Sequence, residues 1–156
     1  MNQTKNNIYF VGAGGIGMAA LVRYFLSRGC RVAGYDRTQT ALTDALVAEG
    51  AIISYTDEIS EIPEDFRNPD TTLVVYTPAI PDTNKGLNFF KNGGFEILKR
   101  AAVLGMITRD SLGICFAGTH GKTTTTAMLA QAFMEAGADP TIHIGGELDF
   151  IGGSTL

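Results

Sequence analysis

The sequence predicts an α/β fold: a parallel sheet covered on both faces by helices, followed by the start of a second α/β unit. Three observations carry this. Short apolar runs without polar alternation recur between segments of helical periodicity, the pattern of strands buried on both faces. A glycine cluster stands between the first such run and the first helix. Near residue 112 a strand-like run, a glycine loop and a helical pattern begin again.

Ile8 to Val11 is the first strand, and from Ile16 to Leu26 apolar residues at helical spacing predict a helix with Met18, Leu21, Val22, Phe25 and Leu26 on one side. Arg31 to Tyr35 is the second strand. The next helix starts near Thr40 and ends at Gly50, a residue suited to a left-handed cap. Ala51 to Ser54, Thr72 to Tyr76 and Phe95 to Leu98 read as further strands, with helical or irregular stretches near 58–62, 83–92 and 100–107. Pro63 to Asp70, with two prolines and four charges, reads as a surface loop. The polar Arg109-Asp110-Ser111 marks a boundary between a domain at 1–108 and a second at 109–156. In the second, a strand at Leu112 to Ala117, a loop at 118–123, a helix to about Ala136, a strand near Thr141 to Ile144 and a glycine-rich end are expected. A sheet of one or two strands cannot bury both faces, so this second domain reads as incomplete.

With 45% hydrophobic and 18% charged residues the composition is that of a globular protein. Twelve Lys and Arg stand against 16 Asp and Glu, a net charge of -4, and the basic residues form no stripe. Nucleic acid is therefore excluded as an expected partner, and any phosphate must be held locally. No apolar stretch reaches bilayer-spanning length and no secretory leader is visible, so no membrane partner and a cytoplasmic location are expected. Cys30 and Cys115 sit in apolar runs without metal or redox spacing and are expected to be buried thiols.

Gly12-Ala13-Gly14-Gly15-Ile16-Gly17 satisfies G-x-G-x-x-G between a strand and a helix, where glycines let backbone approach a pyrophosphate at the helix N-terminus. The alternative is a tight turn with no ligand. In this reading Gly14→Val places a side chain against the pyrophosphate and abolishes binding. Asp36, closing the second strand, is a candidate for a ribose hydroxyl or for a simple loop or cap residue. This half alone describes a Rossmann-like domain and suggests an NAD-dependent oxidoreductase.

Ala117-Gly118-Thr119-His120-Gly121-Lys122-Thr123-Thr124 also stands between a strand-like run and a helix. Its Gly-Lys-Thr end has the chemistry of a P-loop ATPase: backbone amides around phosphates, Lys122 for the β/γ-phosphates and the Thr123 hydroxyl for Mg²⁺. Relative to G-x-x-x-x-G-K-[ST] the loop is two residues short, since Phe116 stands before Ala117 and the leading glycine is Gly118. The bland alternative is a threonine-rich helix start. His120 either contacts phosphate or orients the turn, and His143 reads as structural.

Together, Phe10-Val11-Gly12-Ala13-Gly14-Gly15-Ile16-Gly17-Met18, Gly34-Tyr35-Asp36, Thr77-Pro78-Ala79-Ile80, Arg100-Ala101 and Ala117 to Thr126 resemble the Mur ligases over nearly the whole chain. The short loop is the family's usual form. The resemblance implies an enzyme of peptidoglycan synthesis, and so of cell-wall biogenesis, cell shape and cell division. Three domains are implied: a Rossmann-like one for the UDP-sugar, a central ATPase and a C-terminal one. This chain matches the first and the beginning of the second. The implied partners are ATP, Mg²⁺, UDP-N-acetylmuramate and L-alanine, joined through an acyl phosphate with release of ADP and phosphate. Gly12, Ala13, Gly14, Gly15, Ile16, Gly17 and Met18 would hold the UDP pyrophosphate, with Asp36, Thr77, Ala79 and Arg100 nearby; Arg100 also fits a solvated helix start. Gly118, Thr119, His120, Gly121, Lys122, Thr123 and Thr124 would hold ATP, with Lys122 and Thr123 serving phosphoryl transfer. Leu104 to Arg109 departs from the acidic, Met-rich pattern commoner in the family. A ligase that recycles preformed peptide onto the same sugar, and a module that binds UDP-sugar without catalysis, are the remaining readings.

Overall fold

The computed structural model describes residues 5–109, 111–148 and 153–155. Five parallel strands form one sheet: β1 (Asn7–Val11), β2 (Arg31–Tyr35), β3 (Ile52–Ser54), β4 (Thr72–Tyr76) and β5 (Glu96–Lys99), in the order β3-β2-β1-β4-β5. Four helices connect or follow them: α1 (Ile16–Ser27), α2 (Ala41–Ala48), α3 (Lys85–Asn92) and α4 (Arg100–Arg109). The order is that of a Rossmann-like sheet.

Alternation along β1 builds two cores. Ile8 and Phe10 face Met18, Leu21, Val22 and Phe25 of α1, Leu46 of α2 and Val103 of α4. Tyr9 and Val11 face the other way, onto Leu87 and Phe90 of α3 and onto Ile62 and Phe66. Each fully buried large side chain contributes about 1.5–3 kcal/mol, so this double layer dominates the stability. Phe66 corrects one expectation. The segment from Pro63 is polar at its surface, but a 3₁₀ turn (Glu64–Phe66) drives Phe66 fully into the second core.

The second helix starts and ends where expected. Thr40 is the N-cap of α2, accepting from the Thr43 amide at 3.2 Å, while the Thr43 hydroxyl accepts from the Thr40 amide at 2.8 Å. Gly50 turns out of this helix with φ +108, in the region that favours glycine.

The segment beyond α4 differs from expectation. No strand forms at 112–117: Leu112 is 95% exposed, and Ile114 and Phe116 are also exposed. An apolar run becomes a strand only beside a partner that satisfies its amides, and the described residues offer it none. Cys115, expected to be buried, is exposed with this run, whereas Cys30 is half-buried and burial pushes its thiol upward. Helix α5 (Lys122–Glu135) follows, then an antiparallel pair, β6 (His143–Leu148) and β7 (Gly153–Thr155). The expected strand near 141–144 is thus shifted forward. β6 and β7 pack on α1, and β6 also on α5. Among the described residues no helix is long and apolar enough to cross a membrane.

Candidate functional site

The sheet reverses its winding between β1 and β4. β1 leads into α1 on one face, and β4 leads into α3 on the other. Such a reversal opens a crevice beyond the carboxyl ends of the two strands. The glycine turn 12–17 and the segment Thr77 to Ile80 lie there.

Within the turn each glycine has its own reason. Gly12 has φ +90, and a Cβ on it would stand 2.9 Å from the Thr77 methyl and 3.1 Å from Ile80 Cδ1. A Cβ on Gly14 would meet Asp36 Oδ2 and Thr43 Cγ2, each at 2.9 Å. One on Gly17 would meet the Arg100 guanidinium at 2.8 Å, while one on Gly15 meets nothing within 4 Å. The open approach is therefore at Gly15. Gly14 is glycine because of its protein neighbours, a different reason from the pyrophosphate contact the motif suggests.

The amides follow the same division. Those of Gly12 and Ala13 donate to the Tyr35 carbonyl at 2.7 and 3.0 Å, and that of Gly14 donates to Asp36 Oδ2 at 2.7 Å. Those of Met18 and Ala19 donate to the Gly15 carbonyl. The amides of Gly15, Ile16 and Gly17 have no partner among the described residues. Gly15, the N-cap of α1, supplies no side-chain acceptor, and the first turn has no acidic residue. Three consecutive orphan donors at a positive helix end attract an anion. Arg100 lies half-buried across Gly17, with no ion pair among the described residues.

Other predicted residues fall around this crevice with different roles. Thr77 is half-buried against Gly12, Ile16 and Ala79 are exposed, and Ala13 and Met18 are buried in the core behind the turn. Asp36 accepts from Gly14 and also from the Thr38 amide, at 3.1 Å to Oδ1.

The second loop stands in the open. Gly121 takes φ +78 as N-cap of α5, and residues 111–125 are all exposed. Lys122 folds back so that Nζ donates to the Gly118 carbonyl at 2.6 Å, and His120 Nδ1 lies 3.2 Å from the Thr119 hydroxyl. Thr123 and Thr124 face solvent at the first turn of α5. The loop brings a lysine, a hydroxyl and a helix N-terminus together, and among the described residues nothing covers it. Among the described residues no group of three His, Cys, Asp or Glu is placed to hold a metal.

Residues 7–111 match the model of the Mur ligase family, catalytic domain. The chain belongs to the Mur ligase family. It is 55% identical over 141 residues to a UDP-N-acetylmuramate–L-alanine ligase of Parabacteroides distasonis, covering 90% of this chain and 30% of that protein. It is 54% identical over 143 residues to that of Phocaeicola vulgatus, with 92% and 31% covered. A solved UDP-N-acetylmuramate-alanine ligase of Thermotoga maritima superposes with a TM-score of 0.83 at 31% identity, over 96% of this chain and 34% of the other. A UDP-N-acetylmuramate:L-alanyl-γ-D-glutamyl-meso-diaminopimelate ligase of Neisseria meningitides superposes at 0.85 with 25% identity, covering 97% and 46%. The chain thus spans about a third of the length of the alanine ligases it matches.

Three further residues of this Mur ligase chain belong to the crevice or its support and were missed from sequence. Thr43 is fully buried beneath Gly14, and Tyr55 donates its hydroxyl to Thr43 at 3.0 Å. The threonine pair at 40 and 43, spaced as a capping box, was the available signal. His143, half-buried on β6, which packs on α1, is held below its ordinary imidazole value by burial and then by the charge of Arg100. Nothing in the spacing of His143 announces that neighbour.

Proposed function

We propose that this chain is the front part of an ATP-dependent ligase that joins L-alanine to UDP-N-acetylmuramate, with a sugar-nucleotide domain at 1–108 and the start of the ATP-binding domain at 109–156. The observation that carries it is the set of three orphan amides at Gly15, Ile16 and Gly17 under the Arg100 guanidinium, in the crevice at the sheet's reversal. Opposite charge and parallel donors suit a diphosphate. Thr77 and Ala79 line the β4 side, where the sugar nucleotide extends.

Lys122 and Thr123 are the residues that would hold the β/γ-phosphates and Mg²⁺ of ATP, with the amides from Gly118 to Thr124 and His120 beside them. Bound Mg²⁺-ATP supplies the phosphoryl group that activates the sugar's carboxylate toward the alanine amine. The exposed Lys122, now on its own loop carbonyl, is free to turn outward to a phosphate. Transfer needs several groups converging on the γ-phosphate, and the described residues present one wall. The 156-residue chain therefore binds UDP-sugar without turnover.

Alanine as the acceptor is favoured over a preformed peptide by the 54–55% identity to two alanine ligases, while among solved structures the difference is narrower, 31% against 25%. An oxidoreductase reading leaves the second loop without a role. The test is competition: UDP-N-acetylmuramate binds and NADH does not displace it, and ADP release with L-alanine and Mg²⁺ stays at background. NADH binding alone at micromolar strength overturns the proposal. Alanine-stimulated ADP release by this chain overturns the one-walled ATP site.

A further inference from the structure

Asp36 closes β2 at the position where an acidic residue of a dinucleotide fold commonly meets a ribose hydroxyl. Its surroundings here give it other work. Oδ2 accepts from the Gly14 amide at 2.7 Å and Oδ1 from the Thr38 amide at 3.1 Å, so each oxygen already holds backbone. Both distances are hydrogen-bonding, and the first falls in the short range of a charge-assisted bond. The Asp36 amide is itself anchored to the Ser54 carbonyl of β3 at 3.0 Å, so the carboxylate hangs from the sheet.

From beneath, Thr43 closes the same spot. Its methyl carbon and Asp36 Oδ2 both lie 2.9 Å from where a Gly14 Cβ would stand, and its hydroxyl is fixed by Tyr55 at 3.0 Å and by the Thr40 carbonyl at 2.9 Å. Gly14 is thus gripped by a carboxylate and by a buried, fully bonded threonine. The next three amides, those of Gly15, Ile16 and Gly17, are the ones left unpaired.

We propose that Asp36 is a positioning residue: it draws the Gly14 amide out of the anion cradle and so fixes the direction of the three amides that follow, without contacting the ribose. A carboxylate facing a diphosphate directly would repel it, whereas one turned onto Gly14 orients the donors. This rests on the sugar-nucleotide reading for its ligand, and the clamp itself exists without any ligand.

The experiment compares inorganic pyrophosphate, UDP and 2′-deoxy-UDP by calorimetry on the full 156-residue chain, its Asp36→Ala variant and its Asp36→Asn variant. In Asp36→Ala all three ligands weaken by the same factor, about tenfold or more, as expected for loss of a charged hydrogen bond. Asp36→Asn, which keeps an oxygen acceptor for Gly14, recovers part of it. Weakening of UDP alone, with pyrophosphate unchanged and the deoxy penalty abolished in Asp36→Ala, overturns the proposal in favour of a ribose contact. Amide hydrogen exchange of the ligand-free chain gives a second reading: Gly14 is protected in the parent and loses protection in Asp36→Ala, while the β1 amides stay protected. An unprotected Gly14 amide in the parent contradicts the clamp. If no parent titration shows binding, the sugar-nucleotide reading fails, and the exchange result still decides Asp36.

Discussion

The glycine turn at 12–17 and the loop at 118–121 follow the same plan: an apolar run, glycines, then a helix whose N-terminus faces the turn. The structure realises them differently. At the first, β1 lies between β2 and β4, and Asp36, Thr43, Thr77, Ile80 and Arg100 close around the glycines. At the second, the run 112–117 has no strand partner among the described residues, a Cβ on Gly121 would meet nothing within 4 Å, and Lys122 bonds its own loop. A glycine-loop sequence dictates backbone turns locally. Rigidity of the cradle comes from neighbours distant in sequence.

The largest test of that contrast is a pair of core truncations. Phe10→Ala removes a fully buried ring from the first core and should cost about 3–5 kcal/mol in urea denaturation. Leu112→Ala, at the start of the second apolar run and 95% exposed, should change stability by less than about 0.5 kcal/mol. Equal losses would mean that the 112–117 run is packed. Next, Gly12→Ala combines φ +90 with a Cβ 2.9 Å from Thr77 and should cost about 1–3 kcal/mol. Gly121→Ala, strained by φ +78 alone, should cost less, measured in the same way.

Gly15→Ala separates binding from folding. Gly15 has φ -75 and open space, so stability should stay within about 0.5 kcal/mol, while a methyl before the orphan amides lowers UDP affinity by about tenfold. Lys122→Ala should leave both stability and UDP affinity unchanged. The smallest effect concerns His143. Its folded-state value is lowered, so the unfolded chain takes up the proton first, and the stability it contributes is present above the ordinary imidazole value and lost as pH falls below it. Thermal melts from about pH 7 to about pH 5 should show a decline that His143→Gln reduces. An unchanged slope in that variant would mean that burial does not hold His143 below its ordinary value.

All five strands of the sheet, their helices and the glycine end of α2 at Gly50 were legible because both signals are local: apolar runs of strand length and a residue that takes a left-handed turn. The glycine turn was legible as a turn. Which of its amides point outward was not, because that depends on the Asp36 carboxylate from β2 and the Thr43 methyl from α2. The strand expected at 112–117 failed for the complementary reason: apolar content supports a strand only when another strand lies beside it. Phe66 shows the same limit in reverse, since a charged, proline-bearing segment carried one core residue that its composition concealed.

The most direct test of the contrast is calorimetric titration of the chain with UDP-N-acetylmuramate and, separately, with Mg²⁺-ATP, repeated on Gly15→Ala and Lys122→Ala. One UDP-sugar site per chain is expected, weakened by Gly15→Ala and untouched by Lys122→Ala, with far weaker ATP binding. UDP-sugar binding that ignores Gly15→Ala, or that depends on Lys122, would contradict that expectation.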